Sequence, residues 1–168
     1  MVVPSRFRVL ACPVAVLGFT GFRFSSVLPM INRYTHRGLT LVDLESPSQD
    51  EIRKIAAEYD LNPLVVHELS APTLKPKVDL YQTFIYLILH FPKLRRDRKE
   101  QDQEIDFIVG KKFLITVRYG TSETIHYVSK LFQASATLDK GTFGPHAGFL
   151  FFFLISKLYE SLTYELAA

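Results

Sequence analysis

From residue 30 onward, apolar and polar positions alternate, then recur at helical spacing, then alternate again, and each change of period marks an element. Ile31–Tyr34 and Leu39–Leu44 have the character of short strands, and Thr35-His36-Arg37-Gly38 between them is a turn-forming stretch ending in glycine, so the three predict a hairpin. Ser46-Pro47-Ser48-Gln49 then reads as a helix start, with Ser46 as the cap, Pro47 at the first helical position and Gln49 completing a capping-box spacing. The helix that follows runs to about Tyr59. Its Ile52, Ile55, Ala56 and Tyr59 share one face, while Asp50, Glu51, Arg53, Lys54 and Glu58 turn largely to water. Asn62-Pro63 repeats the cap-then-proline device and predicts a second, shorter helix from Leu64 to about Leu69, ended by Ala71-Pro72.

Thr73–Lys77 reads as a proline-punctuated connector. After it, Thr83–Phe91 is apolar on both alternating faces, the mark of a central strand that needs cover on both sides. Lys93–Glu104 carries mixed charges with Leu94 as its one apolar residue and reads as a solvated loop. Ile105–Val109 and Phe113–Tyr119, joined by Gly110-Lys111-Lys112, predict a second hairpin and bring the sheet to at least five strands. Thr121 or Ser122 caps a helix carrying Ile125, Val128, Leu131 and Phe132. A final helix begins near His146, apolar all round over Phe149–Ile155 as in a buried helix and then amphipathic, with Tyr159, Leu162 and Leu166 as its stripe. The fold class that follows is α/β, a three-layer α/β/α sandwich on a mixed sheet.

Composition narrows the class. With 168 residues, 48% hydrophobic and 22% charged, the chain has the make-up of one globular domain with a real core. Its single cysteine, Cys12, forms no internal bridge, which suits a reducing compartment. The net charge of +3 resides in residues 1–29, where Arg6, Arg8 and Arg23 meet no acid; the remainder is balanced, which speaks against a basic nucleic-acid face. Residues 1–29 resemble a signal peptide only in part, since Pro13 interrupts the apolar run and no clean cleavage site follows. They are expected to be a leader or upstream extension outside the fold, with the domain spanning 30–168.

Catalytic constellations are missing. The chain has no glycine-rich phosphate cradle, no nucleophile elbow and no paired metal-ligand spacing among its five histidines, so a non-enzymatic role is expected. His67-Glu68 is the one adjacent pair of candidate ligands, at the end of a short helix. A separate possibility is a stand-alone α/β module that binds a protein or nucleic acid through Lys93, Arg95, Arg96, Arg98 and Lys99. Asp97 and Glu100, interleaved among these bases, argue against it.

The order of several residue strings resembles a known family. Thr40-Leu41-Val42-Asp43, a capped helix, Pro63-Leu64-Val65-Val66-His67-Glu68, Lys75-Pro76-Lys77 and the hydrophobic strand Phe84–Phe91 together resemble the cytoplasmic amino-terminal domain of CorA-type magnesium transport proteins over roughly Met30–Leu166. Leu41 stands where relatives have tryptophan, Lys75 where they have arginine, His67 where they have an acid, and Ser156 where they often have aspartate. The resemblance implies a regulatory and assembly domain of a divalent-cation transport protein. It implies magnesium, or cobalt or another divalent ion, held weakly between identical subunits of a homopentamer, with Glu68 and Glu160 as the acids at hand. It implies a place on the cytoplasmic face of the inner membrane, no nucleic-acid partner, and membrane attachment only through carboxy-terminal helices that this sequence lacks. The final helix would lead towards a stalk, also absent. With no Gly-Met-Asn signature in the sequence, the chain is not expected to conduct ions by itself.

Overall fold

The computed structural model of the chain describes residues 30–92, 102–138 and 143–167. The expectations for residues 1–29 and for the basic loop 93–99 lie outside the described residues. The elements follow in the order β1 (Met30–His36), β2 (Leu39–Glu45), α1 (Gln49–Tyr59), α2 (Pro63–Glu68), β3 (Lys77–Leu80), β4 (Phe84–Phe91), β5 (Gln103–Gly110), β6 (Phe113–Arg118), α3 (Glu123–Thr137) and α4 (Ala147–Ala167).

The first hairpin closes between the paired His36 and Leu39 through two left-handed residues, Arg37 at φ 48° and Gly38 at φ 74°. Two successive positive φ angles match the right-handed twist of the flanking strands, and glycine takes the second at no steric cost. The α1 cap differs from expectation. Ser48, not Ser46, is the N-cap: its hydroxyl accepts from the Glu51 N–H, and the Glu51 carboxylate accepts from the Ser48 N–H at 2.8 Å. Ser46 sits at φ 48°, outside the extended conformation a cap needs, and a charged Glu51 answers the helix dipole better than Gln49. Ile52 and Ile55 are buried as the spacing requires, and Asp60 ends the helix in the left-handed region. In α2 the Asn62 side chain accepts from the Leu64 N–H at 2.9 Å and Pro63 opens the first turn.

All six strands form one mixed sheet in the order β1-β2-β6-β5-β4-β3. Every pairing is antiparallel except β2 with β6. One face packs Val42, Leu44, Tyr86, Ile88, Ile108 and Ile115 against Ile52, Ile55, Val65 and Leu69 of α1 and α2. The other packs Leu39, Leu41, Ile105, Phe107 and Leu114 against Ile125, Val128 and Phe132 of α3 and Leu150, Leu154 and Leu158 of α4. The three-layer α/β/α sandwich is therefore present.

Two details depart from the sequence reading. The strand β4 lies one place in from the edge, because the connector hides a further edge strand, β3. Helices α3 and α4 lie over β1, β5 and β6, which leaves Ile85 of β4 exposed and Leu87 and Leu89 half-buried. Helix α4 is not buried all round: Phe149 is 59% exposed and Phe152 72%. Its core stripe is Leu150, Leu154 and Leu158 at i, i+4 and i+8, with Leu162 partly buried, while Tyr159 points outward. Only one side of this helix meets the sheet and α3, so Phe149, Phe152, Tyr159 and Tyr164 stay in water, while Phe151 and Phe153 are half-buried against Phe107 and Phe143.

A buried ion pair joins the parallel strands. Arg118 of β6 is 3% exposed; its Nε and Nη2 donate to the two Asp43 oxygens of β2 at 3.2 and 3.0 Å, and Nη2 also meets Glu45 at 2.9 Å. Thr116 donates to Asp43 Oδ1 at 2.8 Å, and the Arg118 Nη1 reaches the Gly120 carbonyl at 3.0 Å. Burial works against the guanidinium charge, but the bonds and charges of Asp43 and Glu45 outweigh it and hold its pKa above the ordinary value. Removing one partner leaves the other charged and unpaired in the core. Arg118→Ala is therefore expected to cost about 3–5 kcal/mol in urea unfolding, and removing Asp43 as well to restore part of the loss. A double variant no more stable than the single one would show that the charge pairing is not what the strand junction relies on.

Candidate functional site

On the α1/α2 face, the sheet carries a line of polar side chains where apolar ones would be expected. Glu104 and Asp106 occupy same-face positions of β5, and the antiparallel register places Glu104 opposite His90 and Asp106 opposite Ile88, diagonal to Tyr86 of β4. Tyr119, just after β6, closes the group from the other side. Asp106 is fully buried; its Oδ2 accepts from Tyr86 at 3.2 Å and from Tyr119 at 3.4 Å. Glu104 Oε2 accepts from the Thr73 N–H at 2.6 Å and lies 3.2 Å from His90 Nε2, which is also 2.8 Å from the Thr73 carbonyl. The Tyr119 hydroxyl is 3.2 Å from the Leu69 carbonyl.

Electrostatics sharpen the arrangement. Burial first, and then the neighbouring Glu104 charge, push the Asp106 carboxyl up to about 8. Glu104 is also raised by burial, against the opposing pull of the Thr73 N–H, His90 and a hydrogen bond with Asp106. Burial likewise pushes both tyrosine hydroxyls above their ordinary values, so Tyr86 and Tyr119 stay neutral donors.

Sequence reading placed Glu104 at the end of a solvated loop. It lies instead in β5 and is almost fully buried, because β5 is an inner strand covered on this face by the α1/α2 layer. The alternation Glu104-Ile105-Asp106-Phe107 was the available signal. It resembles an ordinary half-solvated strand, and only the neighbours of β5 reveal that the polar side is closed.

Glu68 ends α2 at the margin of this group. Its Oε1 pairs with Lys77 Nζ at 2.6 Å, and its Oε2 is buried with no hydrogen-bond partner. Lys77 in turn meets Asp79 at 2.7 Å, and the bonds from Asp79 and then Glu68 hold its pKa above the ordinary value. A cavity of about 420 Å³ opens here, lined by Glu68, Thr73, Leu74, Lys75, Lys77 and Ile88. His67, the other member of the predicted pair, is exposed. Glu160 is exposed on α4, where it pairs with Lys157 at 2.6 Å. Glu68 and Glu160 thus lie on opposite sides of the sheet, and one chain does not bring them together. Among the described residues, no three His, Cys, Asp or Glu side chains are grouped to hold a metal ion.

The sequence model of one family, described as CorA-like Mg2+ transporter protein, matches residues 37–164. The chain belongs to that family. It is a family of transporters and not a class of enzymes. The match runs from the first turn into α4, leaving out β1 and the last residues of α4, and it includes the Asp43 strand, the Glu68 helix and the Lys75-Pro76-Lys77 connector quoted above.

Solved structures agree on the CorA fold. The full-length CmaX protein has a TM-score of 0.62 at 12% identity, covering 88% of this chain and 43% of that one. The complete CorA magnesium transporter of Methanocaldococcus jannaschii has a TM-score of 0.60 at 16% identity, covering 77% and 39%. The ZntB cytoplasmic domain of Vibrio parahaemolyticus has a TM-score of 0.58 at 17% identity, covering 77% and 51%. This CorA-like chain therefore spans between 39% and 51% of the length of those proteins. None of the curated proteins matches it in sequence. Among the described residues, no helix is long and apolar enough to cross a membrane.

The raised Asp106 fixes a direction for stability against pH. The folded chain keeps this proton up to about pH 8, whereas an unfolded aspartate loses it near pH 3.9, as a rough model-peptide value. The favourable contribution is thus complete below the unfolded value, declines as pH rises between the two, and levels off above the folded one. Asparagine keeps the shape and the donor without the ionisation. Urea midpoints measured from about pH 5 to about pH 9 should fall for the wild type by up to roughly 1.4 kcal/mol per unit more steeply than for Asp106→Asn. Parallel pH profiles for the two proteins would show that Asp106 ionises alike in the folded and unfolded chains.

Proposed function

We propose that residues 30–168 are the regulatory and assembly domain of a divalent-cation transporter, and that magnesium is sensed where Glu68 of one subunit meets an acid of an identical neighbour. The observation that carries this reading is the state of Glu68 within a chain of this family. One of its oxygens is paired with Lys77, the other is buried without a hydrogen-bond partner, and the residue lines the cavity. Glu160, exposed on the far layer, is the acid a neighbouring copy would offer. The separation of the two within one chain suits a site that exists only between chains.

The chemistry of the ion supports a sparse site. Magnesium holds most of its water and takes one or two carboxylates, so two acids on two subunits suffice for weak binding in the range where intracellular magnesium varies. Bound there, the ion screens the repulsion between the acids and favours a tight assembly; its loss leaves like charges facing each other and favours separation. Homopentameric assembly, a membrane-attached parent with this domain on its cytoplasmic side, and acceptance of cobalt or another divalent ion belong to the same proposal. The domain itself serves to sense and assemble, while conduction belongs to other parts of the transporter.

The test is association and proteolysis with and without magnesium. Millimolar magnesium should increase the sedimentation coefficient of the chain and slow its digestion, and Glu68→Ala and Glu160→Ala should each weaken both effects by about tenfold in the magnesium required. If both variants respond to magnesium as the wild type does, neither glutamate is the sensor.

A further inference from the structure

We propose that Glu104 and Asp106 together hold a single proton, and that this proton is the latch fastening the Leu69–Thr73 segment onto the sheet. Glu104 Oε1 and Asp106 Oδ1 are both buried, and neither has a partner among other groups. They project from the same face of one strand, two residues apart, opposite His90 and Ile88 of β4. Two bare carboxylate oxygens cannot satisfy one another; one proton between them satisfies both, with Asp106 as donor and Glu104 as acceptor. The remaining oxygens are already served, Asp106 Oδ2 by the Tyr86 hydroxyl and Glu104 Oε2 by the Thr73 N–H, while the single protons of Tyr119 and of His90 Nε2 are shared between these oxygens and the Leu69 and Thr73 carbonyls.

What the pair holds is backbone. The segment between α2 and β3 is fastened at three points, the Leu69 carbonyl by Tyr119, the Thr73 N–H by Glu104 and the Thr73 carbonyl by His90. Tyr119 and Glu104 both lean on Asp106, and His90 leans on Glu104.

The charged groups around the pair do not offer an alternative to the proton. From α2 it is faced by Glu68, from β3 by Lys77 and Asp79, from β4 by Tyr86 and His90, and from the end of β6 by Tyr119; Lys75 belongs to the connector itself. Lys77 is already engaged by Glu68 and Asp79, and the Glu68 charge adds to the cost of a second negative charge at Asp106. With the proton gone, two carboxylates and Glu68 share one buried region. Strand β5 is pinned by its neighbours on both sides, so the strain is relieved by Glu104 swinging outward and releasing Thr73. Thr73 also lines the cavity beside Glu68, so the latch sets the shape of that cavity.

The inference stands apart from the magnesium reading, and its test is run on the chain in chelator. Carbon-13 carboxyl shifts of Glu104 and Asp106 and the exchange protection of the Thr73 amide are followed from about pH 6 to about pH 10. The latch requires the pair to release one proton within that range and Thr73 protection, corrected for intrinsic exchange, to fall by about tenfold or more as it does. Asp106→Asn, which donates permanently, should keep Thr73 protected throughout. Two carboxyls that both titrate in the ordinary carboxylate range would overturn the proposal, as would constant protection in the wild type or an equal loss in the variant. Should Asp106→Asn not fold, the wild-type titration and exchange decide the matter alone.

Discussion

The sheet holds together through the join between β2 and β6, two strands whose paired residues are 73 positions apart. It is the one parallel pairing among the described residues, and without it the β1–β2 hairpin would have no place beside β6. Aliphatic side chains secure one face of the join, with Val42 and Leu44 beside Ile115 and Val117. Asp43, Thr116 and Arg118 secure the other. The ion pair also supplies selectivity: Asp43 and Glu45 meet Arg118 only in the observed register, since a slip of one residue would turn every side chain to the wrong layer. The position of both helical layers follows, because α1 and α2 leave β2 on one side and α3 leaves β6 on the other.

Among the described residues, two buried clusters of charged side chains behave differently. The Asp43–Arg118 group leaves none of its buried side-chain atoms without a hydrogen bond, and it reads as architecture. The Glu104–Asp106 group is not matched without a proton, and it lies under the one segment that connects α2 to the edge of the sheet. Glu68 stands between that segment and the cavity. The helix end that carries Glu68, its lysine partner and its cavity thus lie beside groups that respond to charge.

Much of this was legible in the order of residues, and the failures have definite causes. The helical face of α1, the Asn62-Pro63 start of α2 and the second hairpin are local signals, and each was read correctly. Ser46 and Ser48 offered overlapping capping spacings, and only the left-handed backbone at Ser46 separates them. Strand β3 is short, preceded by Pro76 and built of alternating Lys77, Val78, Asp79 and Leu80, so nothing in its composition distinguishes an edge strand from a connector. The outer aromatics of α4 imply burial by composition, yet burial depends on how many neighbours the fold supplies. The acidic pair eluded the reading for the same reason in reverse: polarity in a strand means solvent unless the strand lies inside.

The separation between β2 and β6 has a consequence for how the chain is made. The hairpin leaves the ribosome early, but the strand it must pair with is synthesised more than 70 residues later. At a typical elongation rate this is a wait of roughly 4–15 s. Throughout it, Leu39 and Leu41 lack the α3 and α4 layer that buries them, and Val42 and Leu44 lack the β6 strand beside them. The nascent chain therefore carries a partly uncovered hydrophobic ribbon while those residues are made, and holdase chaperones would have their longest opportunity there.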